Sequence, residues 1–320
     1  MIAITGAAGF IGSNLAHRLT QQREELVLVD HPMVPEKSGN MVGLEGSPLL
    51  EHTRFLDDLE RGALSPRLIY HLGACSRTTE TDWAYLAENN VAYTQRIWRW
   101  CAAQGRTLVY ASSAATYGDG ARGFDDRTHP RDLTPLNLYG KSKNDFDLWA
   151  LDEVEAGRPA PPTWAGVKFF NVYGPRELHK RDMASVVWHA RRQIEATGEM
   201  QLFTSNDPAI RDGEQRRDFV FVGDNLDQLT WLARRTGLGG VFNSGTGTAR
   251  TFLDLTQAVF DALGRERKIR FIDMPPALSA QYQNYTRAET SKLREAGFTG
   301  QPTSLEAGVL QTLQARRSTD

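Results

Sequence analysis

Short apolar runs alternate with longer amphipathic stretches through the first half of the chain. Ile2–Thr5, Leu26–Asp30, Leu68–Leu72, Thr107–Ala111, Ala165–Phe170 and Val241–Asn243 have the length and composition of buried strands. Between them, Ile11–Gln22, Ala87–Gln104 and Lys143–Glu155 carry apolar residues at helical spacing. Strands joined by helices of this length need right-handed crossovers, which predicts an α/β fold with a parallel sheet covered on both faces. After about residue 170 the rhythm breaks, and segments rich in Gly, Pro and charge (206–217 and 274–283) interrupt short helices and strands. The pattern predicts a first domain over 1–170 and a smaller mixed α/β lobe over 171–320, partly interleaved with it. Gly157 to Pro162 reads as a surface loop, and no internal repeat or low-complexity segment is present.

Composition narrows the classes little. The 320 residues carry a formal net charge of -2, with 40% hydrophobic and 24% charged residues, as in an ordinary globular protein. That balance gives no reason to expect nucleic acid or a membrane surface as partner. No apolar run approaches transmembrane length. Met1 to Thr5 already reads as a strand, so no leader is expected and the expected compartment is the cytoplasm. The two cysteines, Cys75 and Cys101, offer neither a disulfide framework nor a metal-ligand spacing. Both are expected to be reduced core residues, and no metal is expected.

The first chemical signal is Thr5-Gly6-Ala7-Ala8-Gly9-Phe10-Ile11-Gly12, between the first strand and the first helix. Gly6, Gly9 and Gly12 permit a tight turn and let a pyrophosphate approach backbone N–H groups at the helix N-terminus. Asp30 ends the second strand, where a carboxylate can bind a ribose hydroxyl and disfavour a 2′-phosphate. Lys37 and Arg54 complicate this, since either could neutralise such a phosphate from a flexible loop. The residues alone leave NAD and NADP both open.

The second signal is Tyr139-Gly140-Lys141-Ser142-Lys143. Tyr139 and Lys143 are four apart and share a helix face. A neighbouring ammonium and an oxidised nicotinamide both favour the phenolate, moving Tyr139 towards acid/base range. Upstream, Tyr110 to Gly118 begins in a strand and ends in a loop, supplying a hydroxyl to bind a substrate alcohol.

With these motifs the chain resembles the extended short-chain dehydrogenase/reductases over its full length. More closely it resembles the ADP-heptose 6-epimerase family of lipopolysaccharide assembly. The motifs are His71-Leu72-Gly73-Ala74-Cys75-Ser76 with Thr78-Thr79-Glu80; Ala111 to Gly118; Phe169 to Glu177; His179-Lys180; Met183 to Val186; and Arg217 to Val220. The resemblance implies a Rossmann-like doubly wound sheet, tightly held NADP, an ADP-heptose substrate and inversion of the 6-carbinol. It also implies a homo-oligomer, a ring of five being one size. On the cofactor side it implies roles for Phe10, Ile11, Asp30, His31, Lys37, Leu72, Gly73, Ala74, Cys75, Ser76, Asn89, Val172 and Lys180. Ser113, Tyr139 and Lys143 match the catalytic set, with Lys180 the second acid/base. Asn171, His189 and Phe203, with Ser113, would meet the substrate, and Arg217 and Tyr282 its ADP end. Arg181, Asp182 and Leu72 depart from the family pattern, and the 206–215 segment is longer than in compact members.

Two other readings stay open. Another nucleotide-sugar epimerase or a dehydratase would share the scaffold, although the Ser113–Thr116 segment offers no carboxylate for eliminating water. A catalytically silent NADP-binding regulator would typically have lost Tyr139 or Lys143. For Arg217, a surface ion pair with Asp218 is the plain alternative to ligand binding. His189 could equally be a core histidine.

Overall fold

The computed structural model describes residues 1–279 and 282–315. Its main sheet has seven parallel strands: β1 (Ile2–Thr5), β2 (Leu26–Asp30), β3 (Leu49–Glu51), β4 (Leu68–His71), β5 (Thr107–Ser113), β6 (Trp164–Phe169) and a last strand, Gly239–Ser244. Across the sheet they run Gly239–Ser244, β6, β5, β4, β1, β2, β3. The order reverses between β1 and β4, and Ile2 of β1 pairs with Leu26 of β2 on one side and Leu68 of β4 on the other. In open α/β sheets that switch point opens the crevice where ligands bind. The expected Rossmann-like sheet is therefore present.

Side-chain alternation divides β1 between two cores. Ile2 and Ile4 join Leu15, Leu19, Leu226 and Leu229 on one face, while Ala3 joins Phe55, Ile97, Trp98 and Phe146 on the other. Burial on both faces explains why the strands read as continuous apolar runs. β3 and the helix His52–Glu60 leave no clear period in the sequence. β3 is a three-residue edge strand with exposed ends, and the helix buries its apolar residues among charged ones. The expected helix over 87–104 is in fact a short turn (Trp83–Leu86), a π-helical segment (Ala87–Ala92) and a regular helix (Tyr93–Gln104). The helix expected from Lys143 starts earlier, at Leu138, because the Asn137 side chain caps it by accepting the Gly140 N–H at 2.8 Å.

Residues beyond 170 contribute to both the main sheet and a lobe of their own. Helix Val222–Ala233 packs Leu226, Leu229 and Leu232 into the first core, and Gly239–Ser244 pairs with β6. The lobe has a separate core that includes Val187, Ile194, Leu202, Phe260 and Val309. It carries the parallel strand pair Met200–Phe203 and Ile269–Ile272. A small fourth core joins Tyr117, Phe124 and Leu133 to Phe170, Val220 and Ala288. Among the described residues no helix is long and apolar enough to cross a membrane.

Candidate active site

The glycine turn is built as its spacing requires. Gly6 has φ +67°, and a Cβ there would lie 2.7 Å from the Gly73 backbone. A Cβ on Gly12 would lie 2.1 Å from the Gly6 carbonyl oxygen, so only glycine lets the first helix, α1 (Phe10–Gln21), seat on the turn. Gly9 is the N-cap of α1, makes no side-chain cap, and would meet only the Gly6 carbonyl, at 3.0 Å. The first-turn N–H groups of Phe10, Ile11 and Gly12 lack helical acceptors, which suits a pyrophosphate. These residues fit a nicotinamide dinucleotide.

At the tip of β2, the buried Asp30 carboxylate accepts from the Ala8 N–H at 2.9 Å, the His31 N–H at 2.9 Å and the Lys37 ammonium at 2.7 Å. Lys37 sits on a short helical turn, Pro35–Ser38, and neutralises Asp30 directly. Arg54 is placed differently from the expectation. It lies in the helix His52–Glu60, not a flexible loop, and pairs with Asp58 at 3.4 Å.

The second motif assembles at the ends of β5 and the Leu138–Glu155 helix. The Ser113 hydroxyl oxygen accepts the Ala115 N–H at 3.1 Å and is also bonded to the Tyr139 hydroxyl. Burial raises the Tyr139 pKa, and the Ser113 bond opposes that only in part. Lys143 donates to the Ala111 carbonyl at 2.9 Å, and burial lowers its pKa to about 8 against the opposing Asp147 charge. In the protein alone burial thus raises the tyrosine above its ordinary range, while the Lys143 ammonium is directed to the Ala111 carbonyl.

Beside them runs the 72–76 segment. The Leu72 N–H donates to the Thr5 carbonyl at 3.2 Å and the Gly73 N–H to the Thr5 hydroxyl at 3.0 Å. Cys101 is buried as expected, but Cys75 is not a core residue. It is half-buried, and Asn90 clamps its backbone, accepting its N–H at 2.8 Å and donating to its carbonyl at 3.0 Å. Ala74 is half-buried and Ser76 exposed. Asn89 donates only to the Tyr85 carbonyl, at 2.8 Å, within its own helical segment. The resemblance named Asn89, which is half-buried; Asn90, the buried residue of the π-helical segment, was not singled out from the sequence.

Lys180 lies on an irregular 3-10 segment, Leu178–Met183, half-buried with its Nζ 5.5 Å from the Phe10 ring centroid. Burial lowers its pKa, and Glu177 partly offsets this. Buried Glu177 anchors the segment, accepting from the Gly174 N–H at 3.2 Å and from the Ser185 N–H and hydroxyl at 2.6 Å each. Arg181 pairs with Glu36, and the His189 Nε2 meets the Asp182 carbonyl at 3.2 Å. Val172 lies in the strand Asn171–Tyr173, with its N–H on the Phe170 carbonyl at 2.9 Å. The exposed Asn171 accepts from the Thr286 hydroxyl at 3.3 Å, and half-buried Phe203 closes its strand.

Arg217 and Asp218 do not form a surface ion pair. Asp218 is fully buried and accepts the N–H groups of Thr246, Gly247 and Ala288. Arg217 is buried between Phe252 at 5.6 Å and Tyr282 at 5.1 Å, with no carboxylate within ion-pair distance among the described residues. A buried guanidinium without an anion is suited to a phosphate ligand.

The comparisons agree with this geometry. Residues 2–245 match the model of the NAD dependent epimerase/dehydratase family. The chain is 45% identical to the ADP-L-glycero-D-manno-heptose-6-epimerase of Nitratidesulfovibrio vulgaris, over 97% of this chain and 96% of that protein. It is 39% identical to the protein of the same name from Fusobacterium nucleatum, over 98% and 97%. The solved structure of the Helicobacter pylori ADP-L-glycero-D-manno-heptose-6-epimerase superposes with a TM-score of 0.82 at 26% identity, covering 99% of this chain and 96% of that one. The chain therefore belongs to the NAD dependent epimerase/dehydratase family and, within it, to the ADP-L-glycero-D-manno-heptose-6-epimerases.

Proposed function

We propose that this enzyme interconverts ADP-D-glycero-D-manno-heptose and ADP-L-glycero-D-manno-heptose by inverting the 6-carbinol through a transient ketone, supplying a lipopolysaccharide precursor in the cytoplasm. The observation that carries the reading is that two ionisable groups suited to proton transfer are built on separate elements. Tyr139 bonds Ser113 on one side, and Lys180, desolvated and with no carboxylate within ion-pair distance among the described residues, stands on another element. A bound nicotinamide would accept the hydride and return it. Ser113 orients the carbinol, Tyr139 moves its proton on one face, and Lys180 serves the oxygen after the ketone has turned. Lys143 holds the nicotinamide ribose beside Tyr139. Residues 1–170 carry most cofactor contacts, while 171–320 provide most substrate contacts, with Asn171, His189 and Phe203 at the sugar and Arg217 and Tyr282 at the diphosphate. His31, Leu72, Gly73, Ala74, Cys75, Ser76, Asn89 and Val172 line the cofactor channel.

NADP is the proposed cofactor, with Lys37 shared between Asp30 and the 2′-phosphate, and a homo-oligomer is the proposed assembly. Turnover of ADP-heptose and UDP-galactose, measured side by side, tests the substrate. The mass and absorbance of the co-purified nucleotide test the cofactor. Preference for UDP-galactose would move the chain to hexose 4-epimerisation, and NAD as the bound nucleotide would remove the phosphate role of Lys37.

A further inference from the structure

The segment bearing Lys180 is held in an uncomfortable shape. Arg176 (φ 68°) and Arg181 (φ 50°) occupy the left-handed region, and they are two of the three non-glycine residues that do so among the described residues. Each such residue costs on the order of 1 kcal/mol or more, so surrounding contacts must dictate the conformation. Glu177 supplies local anchors to Gly174 and Ser185, and Asn14 donates to the Pro175 carbonyl at 3.0 Å. Arg181 pairs with Glu36, and a further tie comes from Asn40, a residue with no role so far.

Asn40 is only 8% exposed, although it lies on a one-turn 3-10 helix, Gly39–Met41, on the surface of the fold. Its backbone carbonyl accepts from His17 Nε2 of α1 at 3.0 Å. Its side-chain Nδ2 lies within bonding distance of three acceptors: the Ala8 carbonyl at 3.0 Å, the Arg176 carbonyl at 3.1 Å and His179 Nδ1 at 3.2 Å. Two N–H groups serve these three acceptors, so one is shared. Ala8 belongs to the glycine turn, Arg176 begins the strained segment, and His179 immediately precedes Lys180. His179 accepts this bond as a neutral ring, because burial and the Lys37 and Lys180 charges lower its pKa to about 4. No hydrogen bond joins the Asn40 side chain to Ser113, Tyr139 or Lys143.

We propose that Asn40 is a positioning residue that fixes Lys180 relative to the glycine turn, so that the second proton-transfer group keeps its place over the sugar. This rests on the reading of Lys180 as the second acid/base. Displacing such a group by about an ångström costs up to on the order of 10²-fold in rate. Asn40→Ala, made in the full-length enzyme with its nucleotide bound, should lower kcat for epimerisation at least about 10-fold, within that scale. KM, nucleotide content and dismutation of a terminal-aldehyde analogue, which needs only one proton-transfer group, should change by less than about 3-fold, the range of ordinary context effects. Normal epimerisation by Asn40→Ala overturns the proposal, as does an equal fall in epimerisation and dismutation. If Asn40→Ala does not fold, His179→Phe removes one acceptor alone and should show the same split more weakly; no split there overturns the proposal. Lys180→Met separates the two ideas. If it epimerises normally, the acid/base reading and the Asn40 proposal both fall; if it fails to epimerise while Asn40→Ala succeeds, only the Asn40 proposal falls.

Discussion

The two proton-transfer centres are built by opposite means. Ser113, Tyr139 and Lys143 stand on regular elements, the end of a central strand and the first turns of an 18-residue helix, with Lys143 tied to the neighbouring strand by one carbonyl. Lys180 stands on a kinked 3-10 segment beside left-handed residues, anchored locally by Glu177 and held by Asn14 and Asn40 from distant parts of the chain. The first centre inherits its geometry from secondary structure; the second depends on a few specific tertiary bonds. Substitutions around the first should act through chemistry, and those around the second largely through placement.

The largest expected effect tests that division at its functional end. Lys180→Met should abolish epimerisation yet keep much of the dismutation of a terminal-aldehyde analogue, in which two aldehydes and one water yield one alcohol and one acid. Loss of a positioned acid or base costs typically 10²–10⁴-fold, in order of magnitude. Product analysis on both substrates measures the split, and normal epimerisation by the variant would withdraw Lys180 from the chemistry.

Tyr139→Phe comes next. The substitution removes only the phenolic oxygen from a helix whose cap and packing do not involve it, so fold and bound nucleotide should persist. Epimerisation should fall at least about 10²-fold. Near-normal turnover with an intact circular dichroism spectrum would make Tyr139 structural. Because burial raises the Tyr139 pKa, any residual dependence on phenolate should show as activity rising with pH, and Tyr139→Phe should flatten that limb.

The same contrast governs what the sequence could disclose. The sheet, the glycine turn and the Tyr139–Lys143 pair are legible because strand and helix periods and local spacing determine them. Asn40 and Asn90 are not, since each acts by bonding backbone far along the chain and neither lies in a chemical motif. Lys168 illustrates a signal that was present but passed over. A lysine in an apolar strand is unusual, and it is buried against Asp147 at 3.2 Å and the Thr116 hydroxyl at 2.6 Å. Nor could the sequence show how far burial raises Tyr139 or that the Lys143 ammonium turns to the Ala111 carbonyl, since both need coordinates.

A smaller effect is expected at the adenosine end. Lys37 already serves Asp30, so its removal should unbalance a buried carboxylate while deleting one contact to a 2′-phosphate. A charge-assisted bond is worth about 1.5–3 kcal/mol, so Lys37→Ala should weaken NADP binding roughly 10- to 100-fold and NAD binding far less. Titration calorimetry with both nucleotides on the stripped enzyme decides this. Equal weakening would place Lys37 with Asp30 alone.

The smallest expected effect concerns stability, and it belongs to the regular half. His71, at the end of β4, bonds the Thr5 hydroxyl through Nδ1 at 2.7 Å and the Thr94 hydroxyl through Nε2 at 2.9 Å. The Thr94 hydroxyl gives its proton to the Asn90 carbonyl, so it must accept from His71, which places the single ring proton on Nε2. Thr5 then donates to Nδ1 while accepting the Gly73 N–H. Protonating Nδ1 would face a donor with a donor, and burial lowers the His71 pKa from 6.5 to about 3. The unfolded chain therefore binds a proton below about pH 6.5 that the folded one refuses until near pH 3, so stability falls as pH falls through that window. Between pH 7 and 5 the loss from this one group is at most about 2 kcal/mol. His71→Gln keeps a donor and an acceptor but cannot titrate. Its urea-unfolding free energy should drop less than the wild type's between those two pH values, by up to that amount. Identical pH dependence in the two proteins would mean that the folded state admits the charge, and that the strand end beside the glycine turn is looser than its hydrogen bonds imply.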